Sequence, residues 1–375
     1  MFHDVSLRYK IGLPMAVLGL ALALLGYWLL SMQVSTLQTT FVEMLARERV
    51  STARSAIDSA ADMALKEAVM FSRQPEVIEA YQLAHSGNMD DPASPQSQAA
   101  RERLRMLLAP VRGGLKDILG ASFQLHYHLP NGRSLLRVWR EKQAKKDGKW
   151  VDISDDLTSF RQTVLDINAD PKPLKGIEPG RGGFAVRGLA PVFDKGHRPL
   201  GSVEMLVEFD TVLGPLQSEP GVSVMVFMNV EKLPITTQLQ DPAKNPVIGD
   251  KYVFVSGQDT PEATIITPEL LAAGAKDPVV RILGSRAVTV FPILDYQGRQ
   301  VGLLALAQDI SSSLAVISRL SKVLTAILAV LIALPLLVGV VVMQRVVFRP
   351  LGHIQGLVRR MADGDFSLRF HGSRK

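Results

Sequence analysis

Two stretches without charge frame the chain. Ile11 to Met32 and Val323 to Met343 each run for about 20 uncharged, mostly apolar residues, the length a helix needs to cross roughly 30 Å of hydrocarbon. Between them lie nearly 290 residues in which charge, Gly and Pro are mixed as in a folded domain, and about 30 follow. The pattern predicts two membrane crossings around one large external domain. Arg8 and Lys10 precede the first run, and Arg345, Arg349, Arg359 and Arg360 follow the second. Against Arg319 and Lys322 on the other side, this bias places both termini in the cytoplasm. Tyr27 and Trp28 then fall in the outer aromatic belt. A cleaved signal peptide is the other reading of residues 1–32, but the run is long for an h-region and no A-x-A site follows it.

Past Met32 the apolar positions recur every three or four residues: Leu37, Phe41 and Leu45, then Ile57, Ala60, Ala64, Ala68 and Phe71. This predicts one long helix over 34–83, serving as a dimer seam or as a spine for a sheet. A polar Pro/Ser-rich loop over 87–98 and a further helix over 99–108 follow. From Ser122 to Leu129 the period changes to two, Pro130-Asn131-Gly132 signals a turn, and Leu135 to Arg140 returns as a strand. Further on, Pro191-Val192-Phe193-Asp194 with Gly201, and Pro292-Ile293-Leu294-Asp295 with Gly302, hold the same spacing 101 residues apart. The repeat predicts two similar sheets.

Composition narrows the function. With Cys 0 the chain has no disulfides and no thiolate chemistry, as suits a bacterial periplasm. A net charge of +6, part of it beside the membrane, calls for no nucleic acid. No P-loop, G-x-S-x-G, H-E-x-x-H or Cys/His zinc set is present, so no catalytic residue, metal or cofactor is expected. His126 and His128 share a strand face and read as polar cleft lining before metal ligands. Asp155 and Asp156 read as the cap of a helix over 157–167, and the charged stretch Arg140 to Lys149 as a solvated loop. The ligand site is expected on the first hairpin, where Arg137 and Trp139 alternate onto one face, Tyr127 meets them across it, and Arg187, among glycines, adds a second cation. Such a set favours a small anion such as a carboxylate. The alternative is an Arg137 paired to an internal carboxylate and a Trp139 in the core.

These residues resemble a known family. Leu125-His126-Tyr127-His128-Leu129-Pro130, Ser134-Leu135-Leu136-Arg137, Asp156-Leu157-Thr158-Ser159-Phe160-Arg161, Gly180 to Gly188 and Pro191-Val192-Phe193 look like the third double Cache subfamily, the double sensory domain of bacterial receptors. The resemblance implies an α+β fold: two PAS-like antiparallel sheets on a long N-terminal helix, flanked by two transmembrane helices. It divides the chain into a cytoplasmic start (1–10), a first crossing (11–32), a periplasmic domain (33–322) with a distal unit over 99–218 and a proximal unit over 219–310, a second crossing (323–343) and the start of a HAMP linker (344–375). In that last segment Arg349-Pro350-Leu351 precedes Ile354, Leu357, Val358 and Met361, and Gly364-Asp365-Phe366 closes the motif. Arg137-Val138-Trp139 is similar to the carboxylate grip of amino-acid-binding relatives. Gly132 and Arg140, however, stand where two tyrosines are usual, so an amino-acid ligand is unsupported.

The implied protein is a homodimeric inner-membrane receptor, not an enzyme, with a small-molecule ligand in the periplasm and an output module beyond this chain. A methyl-accepting chemotaxis protein is the first expectation. The sensor half of a histidine kinase or diguanylate cyclase is the second, and a membrane-anchored periplasmic enzyme the third.

Overall fold

The computed structural model describes residues 7–120 and 123–363. It divides into a compact unit over Val42–Ile310 and a second unit formed by the two ends of the chain. Helix α1 (Leu7–Ser72) runs from the second unit into the first. After it come α2 (Pro75–His85) and α3 (Pro95–Leu119), then the hairpin β1 (Leu125–His128) and β2 (Ser134–Arg137). A small ribbon, β3 (Ala144–Lys146) and β4 (Lys149–Val151), and helix α4 (Gln162–Ala169) lead to β5 (Leu174–Gly180), β6 (Gly183–Phe193) and β7 (Pro199–Glu208). Helix α5 (Phe209–Gln217) then connects to a second set: β8 (Val222–Asn229), β9 (Val247–Ile248), β10 (Tyr252–Ser256), α6 (Pro268–Gly274), β11 (Val279–Leu283), β12 (Arg286–Leu294) and β13 (Gln300–Asp309). The strands form a five-stranded sheet in the order β2-β1-β7-β6-β5 and a six-stranded sheet in the order β11-β12-β13-β8-β10-β9. All pairings in both are antiparallel.

The repeat seen in the sequence is a repeat in space. Strands β6 and β7 form the long hairpin of the first sheet, β12 and β13 that of the second, and each has its irregularity at the same point, after Val192 and after Ile293. At both tips an aspartate closes the turn. Asp194 accepts from Arg198 N (2.8 Å) and Arg198 Nε (2.7 Å), and Asp295 from Arg299 N (2.9 Å) and Arg299 Nε (2.8 Å). The repeated glycine has one role in both copies. A Cβ on Gly201 would fall 2.3 Å from His128 O, and one on Gly302 2.3 Å from Phe227 O, so each hairpin can pair with its neighbour only through a bare Cα.

The alanine stripe of α1 is a spine. Ala61 belongs to a core shared with Ile177, Phe184 and Val186 of the first sheet, the apolar face of α5, and Val224, Val226, Phe291 and Leu304 of the second. Ala64 and Ala68 are fully buried. Contact is closest at Gly188 in β6, where a Cβ would sit 2.1 Å from Leu65 N. Helices α2 and α3 cover one face of the first sheet through Val77, Tyr81, Leu104 and Leu108 against Leu125, Tyr127, Leu136 and Val203. α4 lies on a different core, with Val164 and Ile167 against Leu189. The outer face of the second sheet is closed by α6, with Leu270 and Leu271 against Phe227, Val288 and Ala305.

Several local expectations are corrected. The helix expected over 34–83 ends at Ser72, because Pro75 cannot continue a hydrogen-bonded helix and instead opens α2 from its first turn. The helix expected over 99–108 extends across Pro95–Leu119. The charged stretch read as a loop contains the ribbon β3–β4, in which Lys145 pairs with Trp150. The helix expected over 157–167 starts only at Gln162.

In the second unit, α1 and α7 (Ser311–Met343) are both long and apolar enough to cross a membrane. They meet antiparallel, with Gly19 facing Leu336, Gly26 facing Leu328 and Gly339 facing Met15. Small residues of this kind let helices approach without a hydrophobic driving force. Helix α7 continues unbroken through Pro335, and a π-helical turn over Gln344–Phe348 separates it from α8 (Arg349–Ala362). Pro350 stands in the first turn of α8 as expected, while Gly364-Asp365-Phe366 lies outside the described residues.

Gly188→Val drives a side chain into helix backbone that cannot yield as a side chain would. Overpacking costs typically about 1–3 kcal/mol, and this substitution is expected at or above the top of that range. A lowered denaturation midpoint, read by tryptophan fluorescence on the detergent-solubilised chain, is the check.

Candidate functional site

Strand register decides which side chains share a face. In β1–β2, His126 pairs with Arg137 and Tyr127 with Leu136, so the hairpin turns His126 and Arg137 one way and Tyr127 the other. Tyr127 is fully buried against Tyr81, with ring centroids 6.2 Å apart, in the core under α2 and α3. The expected meeting of Tyr127 with Arg137 and Trp139 is thus corrected: residues one apart on a strand lie on opposite faces. A bulge after Tyr127 leaves Leu135 unpaired and turns Ser134 to the histidine side, where its Oγ lies 2.8 Å from His126 Nε2.

The polar face opens into a cleft of about 560 Å³, bordered by His126, Arg137, Trp139, Arg140, Phe160 and Arg187 together with the glycine turn over 180–183. That volume lies in the range of small-molecule sites. His126, Arg137, Trp139 and Arg187 therefore do come together, while His128 sits deeper and does not border the cleft.

Two of the expected cations are already spoken for. Arg137 binds Asp155 through both terminal nitrogens, at 2.7 and 2.9 Å. This corrects the role of Asp155, which is not a helix cap; Asp156 alone makes a local turn, accepting from Thr158 N at 2.9 Å. Arg187 binds Glu204 Oε1 at 2.7 Å. It belongs to a buried network with Arg161, which reaches Glu178 Oε2 at 2.8 Å and Glu204 Oε1 at 2.5 Å. Glu178 also takes the N–H of Thr163 at 2.8 Å, satisfying a free donor in the first turn of α4. Burial pushes the Glu204 carboxyl upward, but Arg161 and Arg187 outweigh it and hold the group well below the usual carboxylate range. Burial, aided by His128 and Arg137, pushes the His126 imidazole well below its usual value; burial also lowers His128, against the pull of Glu204.

The cations left without a carboxylate partner among the described residues at this cleft are Arg140 and Arg181. Arg140 lies over Trp150 at 5.2 Å and Trp139 at 6.0 Å, and Arg181 over Phe160 at 5.0 Å. Sequence reading passed over both. It also missed Arg161, Glu178 and Glu204, although Glu204 in the apolar run Val203-Glu204-Met205-Leu206 was a signal, since a charge inside a sheet needs a partner.

The duplicated sheet supplies a comparison within the molecule. At the 101-residue repeat, Arg187 corresponds to Val288 and Glu204 to Ala305. Both counterparts are buried in hydrocarbon under α6. The same scaffold thus carries a polar cleft in one copy and a closed apolar face in the other.

Removing one partner of the buried network leaves a charge without compensation, which costs about 3–5 kcal/mol. Arg187→Met is expected to destabilise by that order. Arg187→Met/Glu204→Met should recover much of the loss, because Arg161 and Glu178 still match each other. Denaturation of the single and double variants reads the coupling, and additive losses would contradict it.

The family described as "Double sensory domain of two-component sensor kinase", the third double Cache family, matches residues 46–314. No curated protein matches the chain. Among solved structures, the sensor domain of the Vibrio cholerae histidine kinase DctB is similar at 10% identity and a TM-score of 0.37, over 71% of this chain and 98% of that one. The ligand-binding domain of the Pseudomonas fluorescens chemoreceptor CtaA, in complex with L-isoleucine, is similar at 12% identity and a TM-score of 0.37, over 76% of this chain and 98% of that one. An extracellular ligand binding receptor from Desulfohalobium retbaense is similar at 13% identity and a TM-score of 0.34; the match takes in 69% of this chain and spans 39% of that one. With the family's match running from the buried part of α1 through both sheets to the start of α7, the chain belongs to the third double Cache family of sensory domains.

Proposed function

We propose that the chain is a two-pass inner-membrane receptor whose periplasmic domain binds a small organic anion in the cleft of the first sheet. The observation that carries this reading is the pair Arg140 and Arg181, held over aromatic rings at the mouth of a polar cleft and lacking carboxylate partners among the described residues. A carboxylate can use both guanidinium groups as bidentate donors, with His126 and Trp139 as further wall. Arg137 and Arg187, already neutralised, hold the floor and shape it. Recognition is by binding without turnover.

Signal leaves by the chain itself. Strand β13 runs into α7 with only Ile310 between them. A ligand that prefers one arrangement of the cleft shifts the packing of the first sheet on α1, and a small piston or rotation of α7 carries the change to a HAMP linker beginning at α8. The periplasmic domain works as a homodimer. A methyl-accepting chemotaxis protein is the first assignment for the output. The family's description favours a second, a sensor kinase; the identity of the cytoplasmic output partner separates the two.

A thermal-shift screen of the detergent-solubilised chain against carboxylates, amino acids, amines and purines tests the cleft. A ligand at 100 times its Kd stabilises by about 2.7 kcal/mol. The shift is expected for a carboxylate and expected to vanish in Arg181→Ala and Arg140→Ala, which touch no buried ion pair. A ligand whose shift survives both substitutions would move the site elsewhere.

A further inference from the structure

Behind the cleft two imidazoles and a carboxylate converge. His126 Nδ1 lies 2.9 Å from His128 Nε2, and Glu204 Oε2 lies 3.4 Å from the first and 3.5 Å from the second. All three side chains are buried. The strands put them there: His126 and His128 are two apart on β1, hence on one face, and Glu204 on β7 is the direct cross-strand partner of His126.

Each group is held from outside by its other polar atom. His126 Nε2 meets Ser134 Oγ at 2.8 Å, His128 Nδ1 meets Ser202 Oγ at 3.1 Å, and Glu204 Oε1 takes both Arg161 and Arg187. Outer hydrogen bonds of this kind fix ring orientation and leave the second nitrogen aimed inward. The inward side is incomplete. A hydrogen bond between the two rings uses one N–H, and Glu204 Oε2, a fully buried carboxylate oxygen, meets the two imidazoles only at 3.4 and 3.5 Å, longer than a normal hydrogen bond. An anionic oxygen in that state costs free energy unless something positive meets it.

We infer that His126, His128 and Glu204 form a binding site for one divalent d-block cation of the zinc class. Two imidazole nitrogens and one carboxylate oxygen are the ligand set of such ions, whereas calcium and magnesium take oxygen. An ion bonded at about 2.0–2.1 Å to ligands in tetrahedral array holds them roughly 3.3 Å apart. The three edges here already bracket that spacing, so little rearrangement is needed. Arg137 is matched by Asp155, and Arg161 and Arg187 are matched by Glu178 and by Glu204 itself, so the triad together with its arginines is electrically neutral before an ion enters. His126 also borders the cleft, so the ion would stand beside whatever occupies it. The site is independent of the anion reading: it exists whether or not the cleft takes a carboxylate.

The test uses the full chain in detergent, purified on a tag without histidine, stripped with EDTA and dialysed against Zn²⁺ or Co²⁺. One equivalent per chain is expected, with Co²⁺ giving the visible d–d absorption of a low-coordinate nitrogen and oxygen site. Since even outer-shell changes weaken metal binding by about 10–100-fold, His126→Gln and His128→Gln should each weaken it at least about tenfold with far-UV circular dichroism unchanged. If those variants misfold, Ser202→Ala, which touches His128 from outside, should still weaken binding by about tenfold. A wild-type chain that takes up neither ion at micromolar concentration overturns the site. So does an equivalent retained in a folded His126→Gln/His128→Gln variant.

Discussion

Four ionised side chains folded into one face of a sheet are the constraint around which the first half of the periplasmic-type domain is arranged. Arg161, Glu178, Arg187 and Glu204 come from the entry to α4 and from three adjacent strands, and all are buried. Desolvation at such a site can exceed the attraction between the charges, so the network depends on several hydrogen bonds to each carboxylate. That demand reaches outward. Glu178 fixes where α4 starts, Arg161 ties that start to β7, and α4 in turn packs on Leu189 while Phe160 and Arg161 at its entry border the cleft. Cleft, helix and strand register are one solution to one electrostatic problem.

The same accounting separates two kinds of arginine at the cleft. Cations that shape its floor are consumed by internal carboxylates, whereas Arg140 and Arg181 are supported by aromatic faces instead. Cation–π support at an open site is worth about 0.5–1 kcal/mol, less than a charge-assisted pair. These two groups therefore keep most of their capacity to exchange solvent for an incoming anion.

Much of this architecture was legible in the sequence, for reasons that can be traced to residues. The apolar runs are long and uninterrupted, and Pro, Asp and Gly recur at fixed spacing because both hairpins need the same strand entry, turn closure and bare Cα. The candidate site was half legible. Period-two alternation put His126 with His128 and Arg137 with Trp139, but Tyr127 was assigned to a meeting that belongs to its neighbour His126, the residue that the register pairs with Arg137. The partners that neutralise the two arginines, Asp155 for Arg137 and Glu204 for Arg187, lie 18 and 17 residues away in sequence. No local pattern encodes pairs of that kind. Glu204 reaches Arg187 across the β6–β7 hairpin, and Asp155 reaches Arg137 from the loop ahead of α4. Arg140 was hidden because it looked like one more charge in a solvated loop, and Arg181 because it stood among the glycines of a motif.

The duplicated hairpin has an energetic consequence. Where one copy carries Arg187 and Glu204, the other carries Val288 and Ala305, and replacing buried ion pairs by packed hydrocarbon is often stabilising by about 1–4 kcal/mol. Along one helix the molecule thus sets a sheet closed by hydrocarbon beside a relative of itself that holds buried charge. Stability is then distributed unevenly between the two copies, the kind of difference that hydrogen exchange resolves.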